Sequence, residues 1–182
     1  MVSNQELTGI LRAIGDKFES AGDYRVNLFF DESGPFFAQI YTNPSAFVCV
    51  RACEMPDGSS RMWLEIAGGG AHSTFPDGRL FQHLLTRGLD FDWGGPFARI
   101  VGDGTMTYGS RLTLPSDILS TANKASFSFV MGMIDVMGQM SRVLAQELVP
   151  HFGGQMFGGS EKDDVRLLAA LVGPMAPGQA GT

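Results

Sequence analysis

Cysteine, histidine and positive charge are all scarce in this 182-residue chain, which has two cysteines, three histidines, and 13 Lys plus Arg against 19 Asp plus Glu. Cys49 and Cys53 lie in the run Ala46 to Glu54, whose β-branched and aromatic content reads as a strand. Four residues of strand span about 13 Å, beyond the reach of a disulfide, so the two read as small buried hydrophobes. A net charge of −6 without any Lys/Arg run argues against a nucleic-acid partner, since such binders exchange basic side chains for phosphate counterions. No stretch approaches the ~18 uninterrupted apolar residues of a membrane span, and Met-Val-Ser-Asn-Gln-Glu opens no secretory leader. The expectation is a cytoplasmic protein that neither binds nucleic acid nor enters a membrane.

Catalytic motifs are missing too. There is no Gly-x-Ser-x-Gly, no Gly-x-Gly-x-x-Gly, no phosphate loop ending in Gly-Lys, no Cys-x-x-Cys and no His-Glu-x-x-His. His72 follows Gly68-Gly69-Gly70 in an expected loop, His83 falls inside a helix and His151 follows Pro150, so they are scattered. A His83/Asp90/Asp92 grouping would leave a helix and a loop in unrelated directions, an anion nest at Gly68 to His72 has no Lys or Arg beside it, and Asp103 between glycines reads as a turn residue. The sequence predicts no enzyme, no cofactor and no metal.

What is present is apolar bulk and glycine: 44% hydrophobic residues, only 18% charged, and 24 glycines without a G-X-Y period. That composition fits one globular domain with many turns. Ser3 to Glu6 reads as a capping box before a helix over about Asn4 to Ser20, with Leu7, Ile10, Leu11, Ile14 and Phe18 on one stripe. Four strand-like runs follow: Tyr24 to Phe30, Phe36 to Thr42, Ala46 to Glu54 and Arg61 to Ala67. Their short connectors 31–35, 43–45 and 56–60 carry turn chemistry, and the triple glycine is taken to end the fourth run. Asp77 caps a second helix with Leu80, Phe81, Leu84 and Leu85 on one face. Phe97 to Val101 and Thr105 to Leu114 flank Gly102-Asp103-Gly104 as a hairpin, and a long helix ends near Pro150. The order α-β-β-β-β-α-β-β-α makes the fold α+β, an antiparallel sheet with helices packed on it. Residues 1–152 form the domain. Residues 153–182 read as a Gly-rich mobile tail with a short helical segment, whose removal after Gly154 is expected to leave stability nearly unchanged.

The long helix carries the functional expectation. From Phe127 to Val149, Asp135, Gln139, Arg142 and Gln146 form one narrow polar ridge, and two apolar stripes can be drawn around the rest. One is Phe127, Met131, Ile134, Met137 and Leu144; the other is Phe129, Met133, Val136, Met140 and Val143. A sheet covers only one face, so the second stripe, adaptable through its methionines, either fills irregular gaps in the core or is a contact surface for a second copy in a homodimer or for a protein or peptide partner, and the contact surface is the functional expectation. Gly132 and Gly138 fit close contact on more than one side. The alternative expectation is a carrier or sensor of a small apolar ligand, with a pocket between sheet and helix.

This element order, and the stretch Ile100-Val101-Gly102-Asp103-Gly104-Thr105-Met106-Thr107-Tyr108-Gly109 leading through Leu112-Thr113-Leu114-Pro115 to a long helix, resembles the type III secretion chaperone-like family that includes the YbjN domains, over roughly residues 3–152. The resemblance implies a small bacterial cytoplasmic module, commonly dimeric, that holds no cofactor and binds protein segments or acts in regulation. Four strands before helix two and the Gly-rich tail depart from a minimal chaperone of that kind, and no site residues carry over from it.

Overall fold

A computed structural model of the chain describes residues 4–30, 37–44, 46–54, 62–88, 94–115 and 124–172. The elements are α1 (Asn4–Ala21), β1 (Arg25–Phe30), β2 (Phe37–Asn43), β3 (Ala46–Glu54), β4 (Met62–Thr74), α2 (Gly78–Arg87), β5 (Gly95–Ile100), β6 (Met106–Pro115), α3 (Lys124–Phe152), β7 (Gln155–Met156) and α4 (Glu161–Val172). The sheet is antiparallel in the order β1-β2-β3-β4-β6-β5, and β7 adds to β4 beyond the end of β3. The expected α+β class and the long helix on the sheet are therefore observed. The connectors 31–35 and 56–60, the cap Ser3, Asp90 and Asp92, and residues 173–182 lie outside the described residues.

Period-two alternation sorts the strands between two cores. Val48, Val50 and Ala52 of β3 face α1 and α3, with Tyr41, Leu64, Ile66, Leu114, Ile134 and Met137 buried beside them. Phe47 and Cys49 point the other way, into a second cluster with Ala38, Ile40, Ala67, Phe97, Phe157, Leu167, Leu168 and Leu171. Leu80 and Leu84 of α2 complete a third cluster with Leu144 and Leu148 of α3, over Met106 and Tyr108 of β6.

Three expectations need correction. The triple glycine does not end β4, which runs on to Thr74, because a Cβ at Gly68 would collide with the Met137 carbonyl and Ser141 of α3. The strand stays extended and the helix lies directly on it, a close approach that glycine permits. His72 is consequently a buried strand residue and not a loop residue. On α2, Leu80 and Leu84 are buried, whereas Phe81 is 36% and Leu85 76% exposed, so the four do not share a buried face.

The third correction concerns the tail. Residues 155–172 form β7 and α4, and α4 docks on the face of the sheet opposite α3 with Leu167, Leu168 and Ala170 buried. Ser160 and Asp163 form a reciprocal cap: the Asp163 amide donates to Ser160 Oγ at 3.3 Å, and Asp163 Oδ2 accepts from the Ser160 amide at 3.1 Å. At the other end, Arg99 Nη1 of β5 donates to the carbonyls of Ala170 and Leu171 at 3.0 and 3.1 Å. The sequence signal was a weak apolar period; what it lacked was the apolar sheet face waiting for it.

Candidate functional site

On α3, successive residues step about 100° around the axis. Val130, Ile134, Met137, Ser141, Leu144, Ala145 and Leu148 are all buried and define the face on the sheet. The expected contact stripe lies about a quarter turn to one side of it: Phe129, Met133 and Met140 are half-buried against the main core, while Val136 is 36% and Val143 58% exposed. On the opposite flank Phe127 and Met131 are also half-buried, with Lys17 Nζ of α1 5.6 Å from the Phe127 ring centroid. The two expected stripes are thus shoulders of one broad buried arc that sequence spacing alone divided wrongly. Of the polar ridge, Asp135 accepts from the Tyr24 hydroxyl and Arg142 donates to the Pro44 carbonyl at 2.7 Å. Gly138 lies against Ala46 and Val48, where a Cβ would not fit, whereas nothing stands within 4 Å of a Cβ at Gly132.

One turn beyond Val143, Glu147 on the same side accepts from Arg87 of α2 and is paired with His83 Nε2 at 3.0 Å. These bonds hold its carboxyl below the usual glutamate value. The open part of the stripe therefore begins beside α2 and runs toward the start of α3.

A second constellation escaped the sequence because its members stand far apart in the chain. His72 and Ser73, near the end of β4, meet Asp163 and Arg166 of α4. His72 Nε2 is 3.2 Å from Asp163 Oδ1, and His72 Nδ1 is 2.9 Å from Ser73 Oγ. Asp163 Oδ2 accepts from the amides of Gly158 and Ser160 at 3.0 and 3.1 Å. Arg166 Nη1 is 3.3 and 3.5 Å from the two ring nitrogens, distances that place it over the face of the imidazole. Burial and then the Arg166 charge push the His72 pKa below its usual 6.5. For Asp163 burial acts upward, but the hydrogen bonds from Ser160 and Gly158 and the neighbouring His72 leave its carboxyl below the ordinary 3.8. Ser73 has φ 55°, the one positive φ outside glycine among the described residues. It sits where the β4/β6 register shifts between Ala71 and Thr74.

Cys49 is buried and free, its thiol pushed up to about 12 by burial, as the reading of a small hydrophobe requires; Cys53 pairs opposite Trp63 in the β3/β4 register. Asp103 accepts from both the amide and the hydroxyl of Thr105, at 2.9 and 2.6 Å, as a turn residue does. No group of three His, Cys, Asp or Glu side chains able to hold a metal occurs among the described residues. Two cavities, of about 70 and 80 Å³, fall well short of the ~300 Å³ at which ligand pockets begin. The first is lined by Thr42, Phe47, Arg142 and Gly159, the second by His72, Ser73, Thr107 and Arg166.

Comparison of the chain with protein-family models, with curated proteins and with solved structures gives no match. Among the described residues no helix is long and apolar enough to cross a membrane.

Proposed function

We propose that this protein is a chaperone-like, cytoplasmic binding module that takes up apolar segments of other proteins along the outer shoulder of α3. The observation that carries the reading is the pair Val136 and Val143, exposed seven residues apart on a stripe whose other members, Phe129, Met133 and Met140, are half-buried against the core. Such a surface offers a short apolar segment two footholds and adaptable methionine flanks. The occupant is a transient protein segment and not a stable second copy. At 36% and 58% exposure the two valines together present less than one whole valine, whereas a standard stable interface takes about 800 Å² from each partner. The acidic balance, net −6, disfavours acidic segments and favours neutral or basic ones.

The test uses the double variant Val136→Glu/Val143→Glu, because these side chains can change without disturbing the core. The wild type should delay the aggregation of reduced insulin, and the variant, equally stable, should not. Equal protection by the two proteins, or none by the wild type, overturns the reading. Sedimentation of the wild type as a tight dimer would assign the shoulder to a second copy instead.

A further inference from the structure

Independently of α3, we propose that Ser73, His72 and Asp163 form an acyl-transfer site in which Ser73 Oγ takes a small neutral acyl group from an activated ester and passes it to water. The roles follow from the hydrogen-bond pattern. Asp163 Oδ1 stands 3.2 Å from His72 Nε2 as an ion-pair contact, and its negative charge favours the proton on that nitrogen, which leaves the lone pair on Nδ1. That lone pair is 2.9 Å from Ser73 Oγ and accepts its proton. Arg166 Nη1 also approaches Nδ1, at 3.3 Å, but the Ser73 hydroxyl is the nearer of the two at 2.9 Å. A ring buried at 2% exposure and neutral at pH 7 is available as a base. Ser73 stands at the positive φ noted above, a backbone state uncommon for serine that presents its hydroxyl at the bulge.

The hydroxyl lines a cavity of about 80 Å³ shared with Val101, Thr105, Thr107, Ala169 and Arg166. At ~30 Å³ for each water-sized group this admits two or three heavy atoms, an acetyl-sized unit. Asp103 and Arg166 both border the cavity and offset one another's charge, so a neutral acyl group suits it. In the reaction the Ser73 Oγ–carbonyl carbon bond forms, the hydroxyl proton passes to His72 Nδ1, and the carbonyl electron pair moves onto its oxygen beside the Arg166 guanidinium. Collapse breaks the ester C–O bond, and the departing alcohol takes the proton from Nδ1. Water then adds to the acyl carbon through the same base, releasing the carboxylic acid and restoring Ser73.

The experiment exposes the full chain to p-nitrophenyl acetate at pH 8, traps and maps the acetyl adduct by peptide mass spectrometry, and follows p-nitrophenol release in parallel. The expected result is one adduct on Ser73, absent in Ser73→Ala, and labelling slowed at least tenfold in His72→Gln. The labelling rate should rise with pH through a single ionisation, and Asp163→Asn should displace that inflection, which a purely structural role would not do. Ser73→Ala removes one hydroxyl facing the cavity, and its melting temperature should match the wild type. Wild-type labelling no faster than that of Ser73→Ala, or an adduct on another residue, overturns the proposal, whatever the α3 variants do.

Discussion

Ser141 of α3 accepts a hydrogen bond from the backbone amide of Ser110 in β6 at 2.9 Å, in the middle of the buried face between helix and sheet. Its hydroxyl also donates to the Gly68 carbonyl of β4 at 2.8 Å, and Ser110 Oγ donates to the Met137 carbonyl at 3.0 Å. A helix bonded to two neighbouring strands in this way lies closer than ordinary side chains permit. Gly68 and Gly138 are what allow it, since a Cβ at Gly68 would meet the Met137 carbonyl of α3 and one on Gly138 would meet the Ala46 Cβ of β3. The polar bonds fix where α3 sits; the apolar residues around them supply the stabilisation.

That arrangement gives two glycines on one helix opposite responses to the same substitution. Gly132→Ala meets nothing within 4 Å, so it should stabilise the fold by about 0.5–1 kcal/mol through helix propensity. Gly138→Ala drives a methyl group into Ala46 and Val48 and should cost about 1–3 kcal/mol despite the better propensity. Urea unfolding of the two variants checks the sign of each, and equal effects would mean α3 is not seated on β3 as described.

Tyr108 supplies a second prediction. Its ring is fully buried in the cluster under α2 and α3, and its hydroxyl has no hydrogen-bond partner among the described residues. Burial pushes its pKa upward, the response of a group denied water. Because the wild type already bears the desolvation cost of that hydroxyl, Tyr108→Phe should be neutral or stabilising by up to about 1 kcal/mol. A loss beyond 1 kcal/mol in thermal unfolding would reveal a partner for the oxygen.

The contrast between what could and could not be read in the sequence follows the range of the forces involved. Strand Ala46–Glu54, the Asp77 cap and the Asp103 turn were legible because each depends on residues within a few positions. The continuation of β4 through Gly68-Gly69-Gly70 was not, because glycine weakens a strand locally and is required here only by a helix some seventy residues further on. Ser141 belonged to neither apolar stripe, yet it lies at the centre of the buried face. The meeting of His72 with Asp163 depends on β7 and the turns around Gly153, Gly154 and Gly159, all three at positive φ, which return the chain to the other side of the sheet.

Removing α4 is expected to be costly. Leu167 and Leu168 are fully buried between the helix and the sheet face of Ile40, Phe47 and Ala67. Leu167→Ala should therefore cost about 2–4 kcal/mol, as cavity-forming substitutions in a packed core do. Val165→Ala, at a position 43% exposed on the same helix, should stay within about 0.5 kcal/mol. If thermal unfolding shows both near zero, α4 does not dock in solution and the second core is not formed.

The last prediction concerns acid. The His72 pKa is lowered in the folded chain by burial and by Arg166, so below 6.5 the unfolded chain binds the proton more readily than the folded one. The stability His72 contributes is complete above its unfolded value and declines as the pH falls from 6.5 toward the lower folded value. Asp163, with its carboxyl held below 3.8, adds a loss only in stronger acid. Asp164, buried and raised above 3.8 despite Asn27 and Arg25, acts in the opposite sense, since protonation there relieves the fold. The difference between wild type and His72→Gln isolates the histidine from both carboxylates. Wild-type stability should drop between pH 7 and pH 5, and the variant's curve should be flatter over that window. Parallel curves for the two proteins in urea titrations at half-unit steps would show that His72 ionises as easily in the folded chain as in the unfolded one, and that its packing against Phe157, Arg166 and Asp163 is absent in solution.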